Sequence, residues 1–175
     1  MAGDGQRSVY LVRHAFAGHA DAARWPDDAE RPLTEDGVER FRAAARGLRR
    51  LVPDVDFVLS SGYARAWQTA ELLYEVARWP QPRECRALEA EKPASDALDV
   101  LRQHSENSLA LVGHEPYLSR LASILCAGGE GALRLELKKG AVALLRVEGD
   151  AHPPFAHLAW AVSPKILRAL DGASR

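Results

Sequence analysis

Three short apolar runs, SVYLV at 8–12, VDFVLSS at 55–61 and SLALVG at 108–113, set the tightest limit on what this chain can become. Each has the length of a strand, and each is followed by residues at helical spacing. After the first, Thr34 can cap a helix running to about Leu51, with Val38, Phe41, Ala45, Leu48 and Leu51 on one face. Gly37 stands at the reciprocal capping-box position, so that cap is incomplete. After the second, a helix from about Arg65 to Val76 turns Ala66, Thr69, Ala70, Leu73 and Val76 inward, and Pro80 and Pro82 close the unit. After the third comes a helix over Glu115–Cys126. Strands that alternate with helices predict parallel βαβ units.

The remaining segments fit around that frame. Arg86–Ala90 reads as a short strand or extended loop, and Ala94–Gln103 as a short helix with Leu98 and Leu101 inward. Gly128, Gly129 and Gly131 mark a turn. AVALLRVEG and FAHLAWAV read as two antiparallel strands joined through Pro153 and Pro154, and Ser163-Pro164 opens a last helix. The expected fold is α/β: a three-layer α/β/α sandwich whose central sheet is mostly parallel with an antiparallel strand. With no repeat or linker, 1–175 is expected to form one domain, with 1–7 flexible. Trp67 and Trp160 are expected in the core, and Trp25 and Tyr63 at a binding rim.

Composition narrows the partners. A formal charge of −1 argues against a nucleic-acid or membrane-surface protein, which usually carries a basic excess. The two cysteines, Cys85 and Cys126, form no CxxC pair, and MAGDGQRS lacks the apolar stretch of a signal peptide. A cytoplasmic protein, monomeric or weakly dimeric, is expected.

The chemistry gathers at three strand ends. The first strand ends in Arg13-His14, the second in Ser60-Ser61-Gly62 with Arg65 close behind, and the third in Gly113-His114-Glu115. In a parallel sheet the C-terminal strand ends lie along one edge, where ligands bind. Each residue alone has an ordinary reading, as a structural histidine or an ion-paired arginine. Together they make an electropositive pocket with two imidazoles, and phosphate is its natural guest because guanidinium forks match phosphate oxygens. A neutral imidazole in such a pocket can attack phosphorus and form a phospho-enzyme.

These residues also carry a resemblance. Leu11-Val12-Arg13-His14-Ala15 resembles the Arg-His-Gly/Ala signature of the histidine phosphatase (phosphoglycerate mutase-like) superfamily. Arg31-Pro32-Leu33-Thr34-Glu35-Asp36-Gly37 resembles its R-P-L-T-x-x-G segment. Ser60 to Ala70 is similar to its S-S-x-x-x-R-A-x-Q-T-A segment, and Val112-Gly113-His114-Glu115-Pro116 to its V-G-H-E/N-P segment. The four stand in family order over about 8–118. The compact loop from Arg13 to Thr34, with Asp28 in D-x-x-R-P-L-T, resembles the SixA-like phosphohistidine phosphatases.

The resemblance implies a phosphoglycerate mutase-like fold and a cofactor-independent, metal-free phosphatase acting through a phosphohistidine. His14 would be the nucleophile, Arg13, Arg65 and His114 would bind the phosphoryl group, and Arg31 would face the pocket. For the general acid it offers Asp28, the SixA-type candidate, and Glu89 or Glu91, which lie where larger relatives carry a glutamate. Ser60 would support its loop. The substrate would be a phosphohistidine protein. A small-molecule phosphomonoesterase or mutase-like phosphotransferase is the alternative, and a catalytically silent phosphate-binding module is the alternative of another class. His19 completes no metal-ligand set and is a loop residue, and His104, His152 and His157 carry no signal.

Overall fold

The computed structural model describes residues 6–148 and 155–172. Residues 1–5 of the arm expected to be flexible, the turn with Pro153 and Pro154, and His152 lie outside the described residues.

β1 (Gln6–Arg13), β2 (Phe57–Ser60), β3 (Arg83–Glu84), β4 (Ser108–Gly113), β5 (Val142–Glu148) and β6 (Phe155–Val162) form one sheet in the order β3-β2-β4-β1-β5-β6. β3, β2, β4 and β1 pair in parallel, while β5 runs antiparallel to both β1 and β6. The sheet is thus mostly parallel with one reversed strand, as the α/β reading expects. Gln6 and Arg7, expected in a flexible arm, are the first two residues of β1 and pair with Glu148 and Val147.

The side-chain period of two splits the interior into two layers. Tyr10 and Val12 of β1 point into a core shared with α1 (Glu35–Leu51), α2 (Ala64–Leu72) and α5 (Pro164–Gly172). Val9 and Leu11 point into a second core against α3 (Asp96–Gln103) and α4 (Tyr117–Ala127). Two covered faces explain why β1 and β4 read as unbroken apolar runs. Among the described residues, no helix is long and apolar enough to cross a membrane.

Several local expectations shift. The edge strand is Arg83–Glu84, paired with Leu59 and Ser60, and Arg86–Leu88 winds into a 3-10 turn instead of a strand, which drives Leu88 into the core. α1 keeps Phe41, Ala45 and Leu48 inward and also buries Ala44, but leaves Leu51, the helix's last residue, exposed. α2 widens into a π-helical turn, Leu73–Ala77, closed by Arg78 in the left-handed region. The core tryptophan on this face is Trp79, 1% exposed with Nε1 donating to Val52 O. Trp160 packs at the margin of that core against Tyr10, whereas Trp67 is only half-buried.

α1 and α5 approach at Gly47, where a Cβ would lie 1.8 Å from Leu167 O. A Gly47→Ala variant should lose about 2 kcal/mol or more, because backbone cannot yield as a side chain can. Gly129→Ala, whose Cβ would meet nothing within 4 Å, should stay within about 0.5 kcal/mol of the parent. Urea denaturation of the pair checks this.

Candidate active site

Register brings the three strand ends level. Arg13 pairs with Gly113 across β1 and β4, and Ser60 with Val112 across β2 and β4. One further backbone bond continues each ladder, His14 N to Gly113 O and Ser61 N to Val112 O. His14 and His114 therefore emerge side by side, with ring centroids 5.3 Å apart, and both are buried. Arg65 arrives on the first turn of α2 and is buried with them.

The ring of His14 is held in one tautomer. Nδ1 lies 2.7 Å from Ala15 O, so it carries the proton and donates it, and Nε2 keeps its lone pair. Burial pushes the His14 pKa down to about 3, against the pull of that hydrogen bond and with help from His114, Arg65 and Arg13. Burial, with Arg65 next, lowers His114 to about 3 as well. Both rings are neutral near pH 7.

His114 Nε2 meets Ser61 Oγ at 2.9 Å, and Ser61 Oγ also accepts the Tyr63 N–H. When Ser61 donates its hydroxyl proton to Nε2, the imidazole N–H sits on Nδ1. That Nδ1, Arg13 Nε and Arg65 Nε are buried without a hydrogen-bond partner among the described residues. A buried donor left unpaired costs about 1–3 kcal/mol, a penalty that an incoming anion relieves. One terminal nitrogen of Arg13 donates to Leu137 O at 2.6 Å, and one of Arg65 to Asp28 O at 2.7 Å.

Asp28 is ion-paired to two arginines. Its carboxylate takes Arg31 Nε at 2.7 Å and an Arg65 terminal nitrogen at 3.0 Å. The Arg31 hydrogen bond above all, with Arg65, holds its carboxyl below the usual carboxylate range. Arg31 spends its remaining reach on Ala17 O and Gly18 O. Glu89 follows the 3-10 turn, half-buried, and its charge acts on Tyr63. Glu91 accepts the Tyr63 hydroxyl hydrogen bond. Tyr63 is a rim residue as expected, its ring 4.9 Å from His114 and 5.2 Å from the Arg65 guanidinium. Trp25 and the exposed His19 line a separate cavity of about 560 Å³ with Ala17 and Leu33. Among the described residues, no group of three or more His, Cys, Asp or Glu is placed to hold a metal.

Several supporting residues escape sequence reasoning. Ser61, not Ser60, faces His114; Ser60 Oγ turns back onto Ser61 O. Thr69 Oγ1 accepts the Ala15 N–H and donates to Arg65 O, which ties the exit of β1 to α2. Gln68 Oε1 accepts Leu33 N–H and holds the Arg31–Gly37 segment on the same helix. Gly37 must lack a Cβ, which would stand 2.1 Å from Phe16 O. Glu115 accepts Leu137 N–H with one oxygen, steadying the carbonyl that Arg13 uses. The signal for Thr69 was its position four residues beyond Arg65, on the same helix face.

The unfolded chain takes up imidazole protons at about pH 6.5, but His14 and His114 resist until about pH 3. Between those values the unfolded state binds more protons, so stability falls as pH drops through the window. A histidine-selective NMR titration should find both rings neutral at pH 5. A His14→Gln/His114→Gln double variant should flatten the pH dependence of urea stability over the same range.

A family model described as Histidine phosphatase superfamily (branch 1) matches residues 9–96. An uncharacterised protein of Picosynechococcus sp. is 33% identical over 79% of this chain and 84% of its own length. The phosphohistidine phosphatase SixA of Escherichia coli is 30% identical over 69% of this chain and 74% of its own. Among solved structures, the protein histidine phosphatase SixA complexed with tungstate superposes with a TM-score of 0.78 at 23% identity, covering 91% of this chain and 99% of that one. That superposition speaks for the fold, and the sequence matches speak for the lineage. On the sequence matches the chain belongs to the histidine phosphatase superfamily, as one of its SixA-like phosphatases.

Proposed function

We propose that this phosphatase works through a phosphohistidine on His14 and that its substrate is a protein phosphohistidine. The observation that carries the first half is the Nδ1 to Ala15 O hydrogen bond, which leaves Nε2 as a lone pair in a buried, cationic pocket. In the first step Nε2 bonds to phosphorus as the bond from phosphorus to the leaving group breaks. Arg13, Arg65 and His114 Nδ1 supply donors to the phosphoryl oxygens as charge shifts onto them. In the second step water attacks phosphorus, the P–Nε2 bond breaks, the water proton leaves on the phosphate, and His14 is restored. Tungstate, a tetrahedral oxyanion, in the SixA relative supports an oxyanion pocket here.

Asp28 supports the substrate reading. Its carboxylate, ion-paired to Arg31 and Arg65 and held below its usual range, is a poor proton donor. A phosphomonoester needs its alkoxide protonated. Phosphohistidine does not, because an imidazole whose second nitrogen already carries a proton leaves neutral. We therefore assign Asp28 to positioning: it fixes two nitrogens of Arg65 so that Nε is left for phosphate. Free Cys85 and Cys126 support a reducing, cytoplasmic setting.

His14→Ala should lose at least about 1,000-fold in kcat/KM. In EDTA, a phosphohistidine peptide should be turned over with higher kcat/KM than p-nitrophenyl phosphate. The reverse order overturns the substrate assignment, and tight phosphate binding with no turnover of either overturns the catalytic reading. Asp28→Asn should raise KM about tenfold, the loss of one charge-assisted contact on Arg65, and keep the basic limb of the pH profile. Disappearance of that limb would make Asp28 the acid after all.

A further inference from the structure

A second cavity, of about 220 Å³, lies between the start of α1 and the start of α5. β1 and β6 run in the same direction, so the loops that leave them, and this cavity with them, lie at the sheet edge that carries His14. The turn forming one wall is bolted to the nucleophile strand: Gly140 N is 3.1 Å from Arg13 O and 3.0 Å from His14 O. Gly140 has φ +79°, and a Cβ there would press to 3.2 Å on the Phe41 ring, so the wall is built for glycine.

Three cations and two phenyl rings line this cavity: Arg40, Lys139, Arg168, Phe16 and Phe41. Arg40 is paired with Asp36 at 2.8 Å. Arg168 has no ion pair or hydrogen bond among the described residues. Lys139 Nζ lies 4.8 Å from the centre of the Phe16 ring and 3.4 Å from Gly18 O, a carbonyl it shares with Arg31. Burial first, then the charges of Arg13, Arg31 and Arg65, lower its pKa. Lys139 thus joins the electrostatic field of the phosphoryl pocket to this cavity, where positive charge exceeds negative.

We propose that this cavity is a subsite for a carboxylate on the substrate. It would hold an Asp or Glu side chain next to the phosphohistidine, with Lys139 and Arg168 as its partners and the exposed face of Phe16 under its methylenes. The volume suits a side chain and is too small for a whole cofactor. The choice of an acidic side chain rests on the phosphohistidine reading; the affinity for a carboxylate does not.

Two probe pairs separate the two claims. One is a phosphohistidine peptide with Glu flanking the phosphohistidine, set against the same peptide with Ala. The other is 3-carboxyphenyl phosphate set against phenyl phosphate. The parent protein should favour the carboxylate member of at least one pair by about tenfold in kcat/KM. Lys139→Gln and Arg168→Ala should bring that ratio towards one, and Arg168→Glu should invert it. Thermal melting would certify that each variant is folded, and the three substitutions give independent routes to the result. Selectivity in the aryl pair with no peptide turnover keeps the subsite and removes the phosphohistidine substrate. No selectivity in either pair, or a ratio unmoved in all three variants, overturns the subsite.

Discussion

Two imidazoles and two guanidiniums share one buried sheet edge, and taking such groups out of water is costly. Much of the surrounding structure can be read as the answer to that cost. The imidazoles give up their charge, which leaves neutral rings where an exposed histidine would be partly protonated. The guanidiniums keep theirs and are steadied by a carbonyl, Leu137 O, and by Asp28. Three buried nitrogens, Arg13 Nε, Arg65 Nε and His114 Nδ1, are left without a hydrogen-bond partner among the described residues. The same desolvation that lowers the histidine pKa values strengthens each later contact with an anion.

Preorganisation follows from how the loop after β1 is tied down. Its carbonyls are taken by Arg31 at Ala17 and Gly18 and by the Thr34 N–H at Phe16, and the Ala15 N–H is taken by Thr69. Gly37 lets the α1 terminus come up against the Phe16 carbonyl. These fastenings converge on Ala15, whose carbonyl sets the His14 tautomer. A segment that looks like a helix start in the sequence thus acts as a clamp on the residues around His14. The clamp also explains why a loop of twenty-odd residues, whose regular structure is a single 3-10 turn at Asp28–Glu30, is tolerated in a small fold.

How far the sequence could be read depended on the range of the interactions involved. β4 and β6 are recovered at Ser108–Gly113 and Phe155–Val162, and α1 begins at its Thr34 cap, because each is encoded by neighbouring residues. Arg86–Leu88 was misread because a two-residue edge strand and a 3-10 turn have no period to detect. Trp67, expected in the core, is only half-buried while Trp79 reaches it, because aromatic content signals a core but not which tryptophan fills it. Ser60 drew notice before Ser61, since only the tilt of the strand exit decides which hydroxyl meets His114.

By itself, then, the sequence determined the α/β class, the placing of Arg13, His14, Arg65 and His114 at strand ends or just past them, and the family they resemble. Those follow from local periodicity and from a few ordered segments. The tertiary structure alone decided that His14 presents Nε2, that Asp28 is ion-paired to both Arg31 and Arg65, and that a cationic cavity lies beyond the end of β1 between α1 and α5. Protonation, pairing and burial depend on atoms brought together from distant parts of the chain, and no run of neighbouring residues encodes them.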